Sequence, residues 1–349
     1  MMDTVLQGMS ADDQVALRDA VQKWVEKGYT FERRRAIVEA GGFDRGAYGE
    51  LAELGLAGLY IDEAHGGLGM GPVEGMVVME ALGGGIVLEP LAQTLIASGV
   101  IGAYGGDDVK SAWLPKIASG EALVVLALQE RGARYRLDRL ATTANSAGGG
   151  WHVSGHKHLV AAADRADAFL VPAVANGKPA LFLVEAGAAG VKTSGHLTQD
   201  GSRAGDLTLD NAPAMLVSAN GQTALEHAVD IGIAAACAEA VGVMDKALLV
   251  TAEYMNTRKQ FGVPIATFQA LRHRVADMKM QLELARSMSY YASLKLNAPA
   301  EERRMAMARA CPCGRARSSV VEHTLHTGGV ASSILAAPTM PSAFSTAAA

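Results

Sequence analysis

Arg258, Gln260, Phe261 and Gln269 stand close together in TRKQFGVPIATFQ, residues 257–269, between two stretches that read as helices. A connection between helices needs only its turn, which Gly262 and Pro264 supply. This one also carries a permanent cation, two carboxamides and an aromatic ring. Those groups bind; they offer charge, neutral hydrogen bonds and a flat apolar face. Each also has a plain reading. Arg258 suits a helix C-terminus, Phe261 can pack the turn onto the helices, and Gln269 can be a surface amide. A second kind of chemistry would come from carboxylates on the Ala-rich stretch before the turn. Glu239 lies on an apolar face, where burial would raise its pKa toward that of a general base. Asp230 is nearby, and a paired or surface role is the alternative for both.

The elements that must position these groups follow from periodicity. Ser10 with Asp13 forms a capping signature for a helix that puts Leu17, Val21, Trp24 and Val25 on one face. Helical text continues in GAYGELAELGLAGLY and PVEGMVVMEALGG, with Pro72 suited to a first turn. The glycines of EAHGGLGMG between them follow no clear strand, so they read as a connecting loop and not a phosphate cradle. From about residue 120 to 215 the period becomes two. ALVVLAL, GWHVSGHKHLV, AFLVPAV, ALFLVEA and DLTLDNAPAML read as short strands. No long helix interrupts them, which predicts an antiparallel sheet or barrel. Long helices return near Gln222, and Thr267 is the expected cap of the second. Leu271, Val275, Met278, Leu282 and Ala285 form its core seam.

The expected fold is therefore α+β and multidomain. It has an N-terminal helical domain (1–118), a middle antiparallel β-domain (119–218) and an incomplete C-terminal helical bundle (219–310). A Pro/Ser/Ala-rich segment (311–349) reads as a poorly ordered tail. A net charge of −5 gives no nucleic-acid footprint. No run of eighteen apolar residues spans a membrane and no signal segment opens the chain, so a cytoplasmic location is expected. Cys237, Cys311 and Cys313 make no disulfide framework, and no metal site is expected.

The stretch YMNTRKQFGVPIATFQALRHRVADMKMQLELAR resembles the signature of the flavin-dependent acyl-CoA dehydrogenases. There a helix ending in Arg leads through Gln-Phe-Gly-x-Pro-Ile to Phe-Gln, then Leu-Ala-Asp-Met and Ala-Arg. AELGLAGLYIDEAHGGLGMGPVEGMVVMEALGGGIVLEP and TQDGSRAGDLTLDNAPA resemble the family's N-terminal and middle domains. The likeness runs from Ser10 to Arg309, where family character is expected to stop. A truncated or frame-shifted end would explain that stop. Within the family the chain is similar to the small subunit of the pimeloyl-CoA dehydrogenase type.

The resemblance implies FAD as cofactor, an acyl-CoA substrate, and electron transfer to an electron-transfer flavoprotein. It also implies a homo- or hetero-oligomer, the latter with a larger homologous subunit. Arg258 would reach the FAD pyrophosphate of a neighbouring subunit, since its fork suits two phosphates. Phe261 would cover part of the dinucleotide, and Gln260 and Gln269 would bond its polar edges. Gly328 and Gly329 match a His-Gly-Gly element near the adenine, with Thr327 in the place of His. All four hairpin residues at the family's spacing favour the binding role over the plain ones.

Four departures bear on chemistry. In LQERGARYRL only Glu130 fits the family's Thr-Glu-Pro loop, with Arg131 in the place of Pro. In HKHLVAAA, Leu159 stands for the aromatic and Ala161 for the hydroxyl residue that face the flavin ring. His156 and His158 on that strand read as surface groups. Removal of an α-proton while hydride leaves the β-carbon requires a carboxylate. Gly232 holds the position of the base in a minority of members, and the later position falls beyond the family-like text. Glu239 is the remaining catalytic candidate. The fourth departure is Thr327 itself. Two functions follow: a flavoprotein subunit for α,β-dehydrogenation of an acyl-CoA, or a non-catalytic subunit that completes a partner's FAD site.

Overall fold

The computed structural model describes residues 11–133 and 136–310. Ser10, Cys311, Cys313, Thr327, Gly328, Gly329 and the expected tail lie outside them. The described chain opens with α1 (Ala11–Lys27), α2 (Phe31–Glu39), α3 (Arg45–Glu53), α4 (Pro72–Gly85), α5 (Leu91–Tyr104) and α6 (Asp107–Ala118). Local chemistry starts them. Thr30 accepts from Arg33 N and Asp44 from Gly46 N. Pro72 opens α4, and the Glu74 carboxylate accepts from Gly71 N at 3.0 Å. α4 and α5 are apolar around most of their circumference and are the buried helices of this layer. EAHGGLGMG is a loop, capped by Asp62 accepting from His65 N. A Cβ at Gly67 would meet Ile61 O at 2.1 Å, so that glycine serves close packing.

The middle strands are β1 (Val124–Leu126), β2 (Thr143–Ala147), β3 (Gly150–Ala161), β4 (Ala168–Ala175), β5 (Lys178–Glu185), β6 (Val191–Leu197) and β7 (Arg203–Ser218). The ladders β4–β2–β3–β7–β5 return to β4 and close a barrel, with β1 added on β4 and β6 on β7. Val153, Phe169, Val171, Phe182, Val184 and Leu207 pack inside it. The expected all-antiparallel pairing is corrected at two ladders, because β1 and β2 both run parallel to β4. They share one edge of β4 in succession, and each reaches it through a connection long enough for a crossover.

After the barrel come α7 (Gly221–Thr257), β8 (Lys259–Gln260), β9 (Val263–Pro264), α8 (Gln269–Lys295) and α9 (Ala300–Ala310). α7 crosses α4 with backbones touching. A Cβ on Gly242 would sit 1.9 Å from Glu80 O, and one on Gly83 2.2 Å from Glu239 O. That crossing fixes the depth of Glu239. Two expectations are corrected here. Thr267 does not cap α8; it lies in a 3-10 turn and donates to Pro264 O at 2.8 Å. The α8 seam is buried only at Leu282, while Leu271 and Met278 are exposed and Val275 and Ala285 half-buried. Only the inner half of α8 meets α4; Arg286 there pairs with Glu80. Among the described residues, the outer halves of α7 and α8 pack mainly on each other.

Candidate active site

The turn after α7 is a two-residue hairpin. Arg258 N donates to Tyr254 O at 2.8 Å, closing the helix. Lys259 and Gln260 then pair antiparallel with Pro264 and Val263. Phe261 and Gly262 between them have φ of +52° and +82°, the double left-handed geometry that matches strand twist. Glycine takes that conformation freely; a bulky Phe takes it against a steric cost of about 1–2 kcal/mol. The Phe261 ring is 92% exposed, and among the described residues its only ring neighbour is Phe268, edge-on at 6.1 Å. Arg258, Gln260 and Gln269 are exposed beside it. Among the described residues no carboxylate pairs with Arg258. The structure thus brings the four sequence candidates onto one rim and turns them away from their own protomer.

The barrel contributes a second surface. The chain leaving β1 runs beside β3, with His158 N donating to Gln129 O at 2.8 Å. The next residue, Glu130, is buried and accepts from Lys157 Nζ at 2.6 Å, Thr142 Oγ1 at 2.7 Å and Ala141 N. Lys157 also donates to Pro172 O at 2.8 Å. Burial raises the Glu130 carboxyl, but the charge and hydrogen bond of Lys157 outweigh it and hold it below the ordinary range. Burial pulls Lys157 down to about 8, against the attraction of Glu130. Glu130 is therefore a strut that ties the loop after β1 to β3. One step beyond Lys157 the register with β7 shifts, and Leu159 is pushed outward at φ +52°. Such bulges re-aim side chains beside sites. Ala161 is buried and offers only a methyl. His158 pairs with Asp206 at 3.1 Å and His156 with Thr208 at 3.2 Å, both on the outer face.

Lys157 and Gln129 escaped the sequence reading. For Lys157 a signal existed: it falls at an inward position of an alternating strand, where a cation demands a partner. Gln129 is half-buried and stands where the family's Thr precedes Glu130, so its amide is an additional polar group at this surface.

Along α7, Gly232 is buried and brings no side chain. Asp230 is engaged by Arg303 Nε of α9 at 2.7 Å. Glu239 lines a cavity of about 30 Å³ with Met79, Leu82 and the Val87–Ala92 segment, which includes Glu89. Burial, with the charge of Asp200 adding to it, pushes the Glu239 carboxyl up to about 8. Among the described residues no cluster of His, Cys, Asp or Glu could hold a metal.

Three family domains match in chain order. They are the acyl-CoA dehydrogenase N-terminal domain over residues 11–121, the middle domain over 125–212 and the C-terminal domain over 219–333. A protein called acyl-CoA dehydrogenase fadE12, from Mycobacterium tuberculosis (strain CDC 1551 / Oshkosh), is 30% identical over 311 residues, 82% of this chain and 77% of its own. The chain belongs to the acyl-CoA dehydrogenase family. The family's FadE27 from Mycobacterium tuberculosis (strain ATCC 25618 / H37Rv) is 31% identical over 239 residues, 67% of this chain; the match spans 62% of FadE27. The ChsE4-ChsE5 complex from Mycobacterium tuberculosis contains a chain of the same fold, with TM-score 0.78 and 28% identity, covering 92% of this chain and 87% of that one.

Acyl-CoA dehydrogenases are FAD-dependent flavoproteins that oxidise CH–CH bonds of acyl thioesters, and FAD is this chain's cofactor. The C-terminal match to residue 333 corrects the expectation that family character stops near Arg309. The residues fit FAD unevenly. The hairpin presents a free guanidinium fork, amides and an uncovered ring, a set suited to a pyrophosphate with flat polar-edged groups. At the bulge, Ala161, where the resemblance implies a hydroxyl residue, offers no side-chain donor.

Proposed function

We propose that this acyl-CoA dehydrogenase holds FAD where two subunits meet, with Arg258, Gln260, Phe261 and Gln269 of one chain reaching the dinucleotide seated on the barrel of another. The exposure of that whole hairpin rim carries the reading, because a strained aromatic that touches only the edge of Phe268 among the described residues is left in water. Arg258 would take the pyrophosphate in its fork and Phe261 would cover an apolar face. The bulge at Leu159 and the amide of Gln129 would border the ring. Bound there, FAD supplies the acceptor for the hydride that leaves the β-carbon of an acyl-CoA.

Loss of the α-proton needs a carboxylate within reach. Gly232 supplies none, Asp230 is committed to Arg303, and Glu239 lies two turns, about 10 Å, further along α7, so we place the base outside residues 11–310 of this chain, in a partner subunit or a later segment. An assembly with a second, homologous chain supports that division of labour, and the ChsE4-ChsE5 complex is a similar protein built from two named chains. Electrons would pass on to an electron-transfer flavoprotein. No described helix is long and apolar enough to cross a membrane, and we place the reaction in the cytoplasm with the family's CoA chemistry.

The test is flavin retention against subunit association. Sedimentation of the purified, FAD-loaded protein over a dilution series should show flavin leaving as the oligomer dissociates. A demonstrable monomer that keeps its flavin would overturn the shared site. Anaerobic mixing with acyl-CoA thioesters locates the base: bleaching of the flavin band only with a partner present places it there.

A further inference from the structure

Two carboxyl groups from distant parts of the chain face the cavity between α4, the start of α5 and α7. Glu89 is 4% and Glu239 7% exposed. One oxygen of Glu89 accepts from Asp44 N at 3.3 Å, and the Tyr29 hydroxyl also faces this carboxyl; the other oxygen, Oε2, is buried with no partner at hydrogen-bond distance among the described residues. Among the described residues nothing hydrogen-bonds the Glu239 carboxyl. The remaining lining is Met79, Leu82, Val87, Leu91 and their apolar neighbours, with no cation. Buried polar atoms in native proteins find partners, and an orphan that faces a cavity marks a ligand or water position.

The cavity is placed along the substrate's path by helix geometry, given the function proposed above. Gly232 and Glu239 are two turns apart on one face of α7, about 10 Å along the axis. The residues between them near that face are Ala235 and Ala236, whose side chains are single buried methyl groups. Three bonds of an extended chain span about 3.8 Å, so about eight bonds lead from the reacting carbons to Glu239.

We propose that the cavity receives a hydroxyl group carried near the far end of the acyl chain, donating to Glu89 Oε2 and accepting from the Glu239 carboxyl. The substrate class is then a hydroxylated acyl-CoA of medium length. A hydroxyl is both donor and acceptor, as this pair requires. An anion would meet two carboxyls and no cation. A buried ammonium would need to strip its hydration in a pocket that is otherwise apolar. About 30 Å³ admits a hydroxyl group together with the methylene that carries it. The raised proton affinity of Glu239 keeps it a donor at neutral pH.

The experiment is calorimetric binding of octanoyl-CoA, 8-hydroxyoctanoyl-CoA and 8-aminooctanoyl-CoA to the full FAD-loaded protein, which needs no turnover. The hydroxy compound should bind about tenfold more tightly than octanoyl-CoA, the scale of one good hydrogen bond. Glu239→Leu, an apolar residue in an apolar wall, should erase or invert that preference, and Glu239→Gln should keep part of it. Equal binding of the hydroxy and plain compounds, an unchanged preference in Glu239→Leu, or tightest binding of the amino compound would each overturn the proposal while leaving the dehydrogenase reading intact. Failure of every acyl-CoA to bind would remove both.

Discussion

Glu239 makes the stability of this protein depend on pH in a direction opposite to most carboxylates. Burial lifts its carboxyl from the usual 4.5 to about 8 in the folded chain. A raised folded pKa means the stabilising contribution is complete below about pH 4.5 and is lost as pH rises through about 8. Between those limits the folded state holds a proton that the unfolded chain has released, and each pH unit costs about 1.4 kcal/mol. From pH 5 to pH 8 the wild type should lose about 3–4 kcal/mol through this group alone. Glu239→Gln has nearly the same shape and no titration. Urea denaturation followed by tryptophan fluorescence, run on both proteins at pH 5, 6, 7 and 8, isolates the effect because all other groups cancel in the difference. The variant should gain on the wild type by about 3–4 kcal/mol across the series, with most of the gain between pH 5 and 7.5. Parallel curves for the two proteins would refute the argument, for they would mean that Glu239 reaches water or a partner in the folded state.

Three further outcomes are expected. Lys157→Met should cost about 3–5 kcal/mol in the same denaturation assay, because the buried Glu130 carboxylate loses its counter-charge; adding Glu130→Leu should recover much of that loss, and no recovery would mean that the contacts of Glu130 to Ala141 and Thr142 dominate. Arg258→Ala should weaken FAD binding by about 1.5–3 kcal/mol, read from the fluorescence of released flavin, with no change in the melting of the flavin-free protein; Arg258→Lys should restore only part, since an ammonium lacks the fork. Phe261→Asn should leave stability equal or higher by up to about 1 kcal/mol, because Asn accepts the left-handed conformation, while flavin retention falls; unchanged retention would leave the exposed ring without a role in binding.

The order of helices, strands and helices is written in the sequence because periodicity is local: it reports which face of each segment avoids water. The hairpin with Arg258, Gln260, Phe261 and Gln269 is legible for the same reason, since a short turn keeps its residues together wherever it lies. β2 and β6 were not legible. TANSA buries one alanine and VKTSGHL is exposed nearly throughout, so neither carries a period of two, and pairing with β3 and β7 decides them. Nor could the period say that β1 and β2 lie parallel to β4, or that half of the α8 seam faces outward. Glu130 was visible as a family position, yet its function as a strut depends on Lys157 standing opposite it. Glu239 could be suspected of a raised pKa from its apolar neighbours alone. That it shares a cavity with Glu89 was decided by the contact of α7 with α4 at Gly83 and Gly242. A repeat pattern fixes which side of an element is buried; only packing fixes what it is buried against.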